Sequence, residues 1–88
     1  MDPSHFQFVL SVPHDAQYLP MVRLLAAQAA RYASCSEAEA ERFGGSVEQA
    51  VQACLHKPAP TSAISIVVRR EAGPVEVVVD GHIVSIEP

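Results

Sequence analysis

The sequence is poor in charge, and the small charge that it carries is acidic. Only 18% of its 88 residues are charged, and six Lys and Arg against ten Asp and Glu leave a formal net charge of −4. Such a balance supplies no basic surface for phosphates, so nucleic acid is not expected as a partner. No apolar run approaches the roughly 20 residues that a membrane span requires, which argues against a membrane protein.

Cysteine is also scarce. Two residues, Cys35 and Cys54, do not make a disulfide framework. Cys54 lies on an apolar helix stripe and is expected to be a small buried hydrophobe. Cys35 precedes a helix, whose partial positive charge would favour a lower thiol pKa and hence a reactive cysteine. Because no His or Lys is adjacent in the sequence, a structural role is favoured. Residues 1–5 carry no Lys or Arg and begin no signal-peptide core, which predicts a cytoplasmic protein.

Recognisable catalytic and metal-binding patterns are missing as well. The four histidines do not have a metal-ligand spacing, and Cys54 and His56 would point about 160° apart on a helix. There is no Gly-x-Ser-x-Gly motif. Glu48 and Asp80 are the only plausible acid–base pair, and a rim glutamate and a turn aspartate explain both. We therefore expect no catalytic residue and no metal site, with His56 near a helix end and His82 half-buried at a strand start.

Nearly half of the residues, 49%, are apolar, and their spacing predicts one domain over residues 1–88. Period-two alternation predicts strands over 6–12, 63–70, 74–80 and 82–86. A first helix should run from near Asp15 or Tyr18 to near Ala33, with Pro20 in its first turn. The order β-α-α-β-β-β favours an α/β (α+β) two-layer sandwich, with about four mostly antiparallel strands and both helices on one face.

The second helix, from Ser36 to His56, organises the predicted core. Ser36 and Glu39 have the spacing of a capping box. Gly44 and Gly45 weaken the middle of the helix, but the apolar stripe keeps its phase across them, so a continuous helix is favoured over two pieces. That stripe comprises Ala40, Phe43, Val47, Ala50, Val51 and Cys54. The first helix has a stripe of its own (Tyr18, Val22, Leu25, Ala29 and Ala33), which leaves Leu24 and Ala27 on its other side.

Two turns should connect the last three strands, after a loop from Lys57 to Ser62. Residues 71–73 form the first turn, and Asp80-Gly81 is a strong signal for a tight hairpin. This turn places Val79 opposite His82, and so predicts the pairs Val77–Val84 and Val75–Ile86.

The sheet face away from the helices is expected to carry four exposed apolar residues among polar ones. These are Val9, Val67, Val78 and Ile83, which alternate with Gln7, Ser11, Ser65, Arg69, Glu76 and Ser85. Apolar residues grouped on an uncovered sheet predict a homodimer or another protein partner. The alternative is that they are surface valines in good strand-forming sequence.

Several short motifs of the chain occur together in one known family. Val22-Arg23 lies on the first helix, and Glu48, Gln52 and His56 follow one another at steps of four on the second; Asp80-Gly81 follows a strand. From Phe6 to Gly81 the chain resembles the histidine-kinase-like (GHKL) ATPase domain of anti-sigma regulatory factors and serine-protein kinases. The resemblance implies a regulatory protein partner, such as a sigma factor. It also implies an ATP·Mg²⁺ site in which Glu48 is the base, Gln52 stands at the metal position, and Asp80 and Gly81 contact adenine.

The chain departs from that family at the nucleotide site. Gln52 stands where the family has Asn, and Mg²⁺ demands strict geometry. The residues after Asp80-Gly81 lack the family's glycines, and no glycine-rich lid occurs before Pro88. The leading hypothesis is therefore a non-catalytic regulatory interaction module without a cofactor. One alternative is a residual ATP-binding kinase that uses Glu48, Gln52, Asp80 and Gly81 with a lid from a partner, and another is a structural homodimerisation module.

Overall fold

The computed structural model describes residues 4–56 and 63–87, and it confirms the predicted two-layer α+β architecture. The elements in chain order are β1 (His5–Pro13), a 3-10 turn (Ala16–Tyr18), α1 (Leu19–Tyr32), α2 (Glu37–Leu55), β2 (Ala63–Glu71), β3 (Val75–Val79) and β4 (His82–Ile86). The four strands form one antiparallel sheet in the order β1-β2-β3-β4. The predicted loop from Lys57 to Ser62 lies outside the described residues.

Local signals set the ends of the helices. Asp15 caps the 3-10 turn by accepting a hydrogen bond from the backbone N–H of Gln17, and Pro20 occupies the first turn of α1, where its missing N–H costs nothing. At the start of α2, the Ser36 hydroxyl accepts from the backbone N–H of Glu39, whose carboxylate accepts from the Ser36 N–H. The capping box is therefore present, and α2 continues through Gly44 and Gly45 as expected.

Small residues allow the two helices to approach closely. Ala26, Ala27 and Ala30 of α1 are buried, and so is Ala40 of α2. A methyl group added at Gly44 would lie 2.7 Å from the carbonyl oxygen of Arg23 and 3.3 Å from Cβ of Ala27. The prediction that Ala27 lies away from the core is therefore wrong, because α2 covers that side of α1.

The sheet supplies the other half of the core. Ile64, Ile66 and Val68 of β2 face the helices, together with Val75, Val77 and Val79 of β3. The register of β4 is the predicted one, with Val79 opposite His82, Val77 opposite Val84 and Val75 opposite Ile86. Both residues of the tight turn have positive φ, 49° at Asp80 and 82° at Gly81, as a type I′ hairpin requires.

The structure agrees with the favoured structural role of Cys35 and overturns one expectation about a single residue, that of a half-buried His82. Cys35 is buried, and burial, with the nearby Glu39 carboxylate adding to it, raises the pKa of its thiol; the desolvation of a thiolate outweighs any attraction from the helix end. His82 is exposed, not half-buried. Cys54 is half-buried, and its carbonyl oxygen lies 3.1 Å from Nε2 of His14.

Candidate functional site

The residues of the expected nucleotide site lie on different sides of α2. Glu48 faces α1, where its Oε1 lies 3.5 Å from Nη1 of Arg23. Asp80 and Gly81 form the turn between β3 and β4 and face a different part of α2, around Ala50 and Cys54. Gln52 and His56 are exposed. Glu48, the base that the resemblance implies, therefore does not lie close to Asp80, the residue that would contact adenine.

Two separate clefts contain Glu48 and the Asp80-Gly81 turn, and Gln52 lines neither of them. A cleft of about 570 Å³ between α1 and α2 holds Glu48 together with Arg23 and Arg31. Another of about 310 Å³, beside the β3–β4 turn, holds Asp80, Gly81 and His82. The structure therefore divides the four residues Glu48, Gln52, Asp80 and Gly81 among different surfaces. A nucleotide would have to contact both sides of α2 to use them all.

Several charged groups of the helical layer have structural partners. Arg31 donates through Nε and Nη2 to the carboxylate of Glu37, at distances from 2.6 to 3.1 Å, and this bond lowers the pKa of Glu37. Hydrogen bonds from Ser36 lower the pKa of Glu39. Both shifts belong to the N-terminus of α2, where a carboxylate stabilises the helix end.

The described residues show no constellation for metal binding. Within residues 4–56 and 63–87, no three His, Cys, Asp or Glu side chains come together in a way that could hold a metal ion. In the same part of the chain, no buried side-chain nitrogen or oxygen lacks a hydrogen-bond partner. Neither α1 nor α2 is long and apolar enough to cross a membrane.

The outer sheet face, meaning the face away from the helices, carries a line of aligned apolar side chains. Val9 lies opposite Val67, Val67 opposite Val78, and Val78 opposite Ile83. These four residues form one line across all four strands, which we call the apolar row. Val9 is 64% and Ile83 53% exposed, and Val67 and Val78 are half-buried between neighbouring rows. The expectation that these residues share an outer face is confirmed.

A second line of side chains runs beside the apolar row, two residues further along each strand. It consists of Gln7, Arg69, Glu76 and Ser85, in register across the sheet, and we call it the polar row. Nε of Arg69 donates to Oε1 of Glu76 at 3.0 Å. On the other side of the apolar row stand Ser11 and Ser65. The apolar row is thus bordered by charge on one side and by hydroxyl groups on the other.

The contacts that join distant segments of the chain were not predicted from the sequence. Arg23–Glu48 and His14–Cys54 connect residues far apart in the chain, and no local pattern signals such pairs. The Phe6 and Tyr32 rings meet edge to face with centroids 5.6 Å apart. They lie in an apolar groove with Phe8 and Leu25, and only the placement of α1 beside β1 creates this groove.

Comparison with known proteins does not extend these observations. No family model, no curated protein and no solved structure matches this chain.

Proposed function

We propose that this chain is a non-catalytic protein-interaction module that binds a second copy of itself through the outer sheet face. The observation that carries the proposal is the apolar row, in which Val9, Val67, Val78 and Ile83 align across the whole sheet. An aligned apolar line on an uncovered sheet loses water when a second sheet packs against it. Strand propensity explains β-branched residues on this face, but it does not by itself group them at one register position.

The separation of the candidate nucleotide residues supports the non-catalytic part of the proposal. Catalysis needs titratable groups that converge on one cavity, whereas Glu48 and Asp80 line different clefts. The ion pair of Glu48 with Arg23 gives this glutamate a structural role between α1 and α2. We therefore place nucleotide binding outside the function of this chain.

A regulatory role in the cytoplasm, with a further protein partner such as a sigma factor, is the biological setting that we propose. It rests on the resemblance to anti-sigma ATPase domains over residues 6–81. A regulator can keep a recognition surface after the loss of nucleotide chemistry, because binding and catalysis depend on different residues. Leu24 is 58% and Met21 44% exposed on α1, which leaves apolar contact area on the helical layer as well.

Self-association is tested by sedimentation equilibrium on the wild type and on Val67→Asp, over a wide range of protein concentrations. The wild type is expected to form a dimer, and the variant to remain monomeric because it would bury a carboxylate at the centre of the apolar row. Leu24→Asp is the matched control, since it adds the same charge to α1 and should leave the dimer intact. Circular dichroism checks that both variants fold. A wild type that stays monomeric at every concentration would refute the proposed dimer.

The absence of nucleotide chemistry is tested by calorimetric titration with ATP and Mg²⁺. We expect no binding, and the same flat titration for Glu48→Ala. Micromolar binding that disappears in Glu48→Ala would instead establish the residual ATP-binding function, with Glu48 in its site.

A further inference from the structure

We infer that the two copies pack face to face, an inference that rests on the proposed self-association. Their two-fold axis runs parallel to the strands and passes between β2 and β3. This line lies at the centre of the four-stranded sheet. Two residues of the apolar row lie on each side of it, Val9 and Val67 on one side and Val78 and Ile83 on the other. The apolar row is therefore symmetric about the gap between the two central strands.

The polar row has opposite charges on the two sides of the same line. Arg69 belongs to β2 and Glu76 to β3, and they are paired across the gap. Both side chains retain exposure, at 41% for Arg69 and 33% for Glu76. Each copy thus presents one positive and one negative group at equal distances from the proposed axis.

An axis parallel to the strands exchanges β2 with β3 between the copies. It places Val9 over the partner's Ile83 and Arg69 over the partner's Glu76. Aligned sheets pack about 10 Å apart with their strands rotated by about 30°, and long side chains bridge the small offset that this rotation causes. The result is a ring of four alternating charges at the border of the apolar contact, an arrangement that favours correct docking.

The other face-to-face arrangement has its axis along the apolar row. It places Val9 over Val9 and Ile83 over Ile83, and it turns the polar row toward Ser11 and Ser65 of the partner. Arg69 and Glu76 would then lose water without gaining an opposite charge, which is unfavourable. Charge complementarity therefore selects the axis parallel to the strands.

The size of the sheet predicts a weak, concentration-dependent dimer. Four strands spaced about 4.8 Å apart give a face roughly 19 Å wide. Because β3 and β4 are only five residues long, a contact of this width buries less than a standard-sized specific interface and belongs to the weak, transient class. Measurements must therefore extend to high protein concentration.

Cross-linking at the two ends of the apolar row distinguishes the arrangements. The background chain carries Cys35→Ala and Cys54→Ser. Two variants of it, Val9→Cys and Ile83→Cys, carry tags of different length. Each is treated with a short bis-maleimide alone, and then the two are treated as a mixture. The proposed axis puts Val9 about 10 Å from the partner's Ile83. Two copies of the same residue, such as Val9 and the partner's Val9, are separated by a further sideways offset of about 14 Å, which is three strand spacings. We expect several-fold more cross-linked dimer in the mixture than in either variant alone.

The outcomes separate this geometry from the proposed function. A dimer in which each variant cross-links to itself, and not to the other, would overturn the axis while leaving self-association in place. A background chain that stays monomeric in sedimentation would overturn self-association and the axis together. Sedimentation of the two cysteine variants shows whether each still assembles before it is cross-linked.

A charge exchange gives an independent test of the same geometry. Arg69→Glu makes the polar row doubly acidic, and Glu76→Arg makes it doubly basic. About the proposed axis each variant repels its own copy and attracts the other, so the mixed dimer should be favoured by about tenfold over either homodimer. The axis along the apolar row predicts no such preference, and equal affinities in all three combinations would refute the inference.

Discussion

At the scale of single residues, Gly44 is the glycine with the least room for a side chain. It lies where α2 crosses α1, with the carbonyl oxygen of Arg23 only 2.7 Å from where a Cβ would stand. Backbone atoms yield less readily than the end of a flexible side chain, so the space cannot be opened cheaply. The neighbouring Gly45 has nothing within 4 Å of that position.

This contrast predicts opposite effects for two identical substitutions. Gly44→Ala should lower the free energy of unfolding by about 1–3 kcal/mol through overpacking of the helix interface. Gly45→Ala should raise it by up to about 1 kcal/mol, because alanine is the better helix former. Urea unfolding followed by circular dichroism measures both. If the two variants changed stability in the same direction, the close crossing at Gly44 would be refuted.

Glu39 provides a pH-dependent contribution to stability. Hydrogen bonds from Ser36 lower its pKa in the folded state, so its contribution is present above the ordinary glutamate pKa and is lost as the pH falls through the folded value. We expect Glu39→Ala to be less stable than the wild type at pH 7, with the difference shrinking on acidification. Unfolding free energies of both chains from pH 7 to pH 3 check this, and a constant difference would contradict it.

At the scale of elements, the same capping box determines where α2 begins. The Ser36 hydroxyl accepts from the N–H of Glu39 at 3.2 Å. Ser36→Ala should therefore cost about 1 kcal/mol of stability, whereas Ser36→Asp should retain most of it, since aspartate is an equally good cap. Chemical denaturation of the three chains tests this, and equal losses in both variants would show that the side-chain oxygen has no capping role.

The β3–β4 hairpin depends on its left-handed turn. Gly81 has a φ of 82°, a conformation that costs an L-residue about 1–2 kcal/mol. Gly81→Ala should destabilise the chain by that amount. Gly73→Ala is the control, because Gly73 does not have a left-handed φ and a Cβ there would meet only the Glu71 carbonyl oxygen, at 3.9 Å. Thermal unfolding that gave equal losses for both variants would refute the assignment of strain to Gly81.

At the scale of the whole molecule, self-association links stability to protein concentration. A dimer that forms only between folded chains raises the unfolding temperature as the concentration rises. We expect this rise in the wild type and its loss in Val9→Asp, which charges the exposed end of the apolar row on edge strand β1. Calorimetric scans at several concentrations measure it, and a concentration-independent wild type would argue against the dimer.

Patterns within a few residues were sufficient to predict the elements of this protein. Alternation predicted the strands, the Ser36–Glu39 spacing predicted the start of α2, and Asp80-Gly81 predicted both a turn and the register of β4. Each of these signals arises from backbone geometry and hydrogen bonding between close neighbours in the chain. For the same reason, the outer positions of Val9, Val67, Val78 and Ile83 followed from the sequence.

The tertiary structure alone decided which distant residues meet. It buried Ala27 against α2, raised the pKa of Cys35, and directed Glu48 toward Arg23 and away from Asp80. It also brought β1 into register with β2, which turned four separate residues into one apolar row. These outcomes depend on helix crossing and strand pairing between segments far apart in the chain, and no local pattern encodes that geometry.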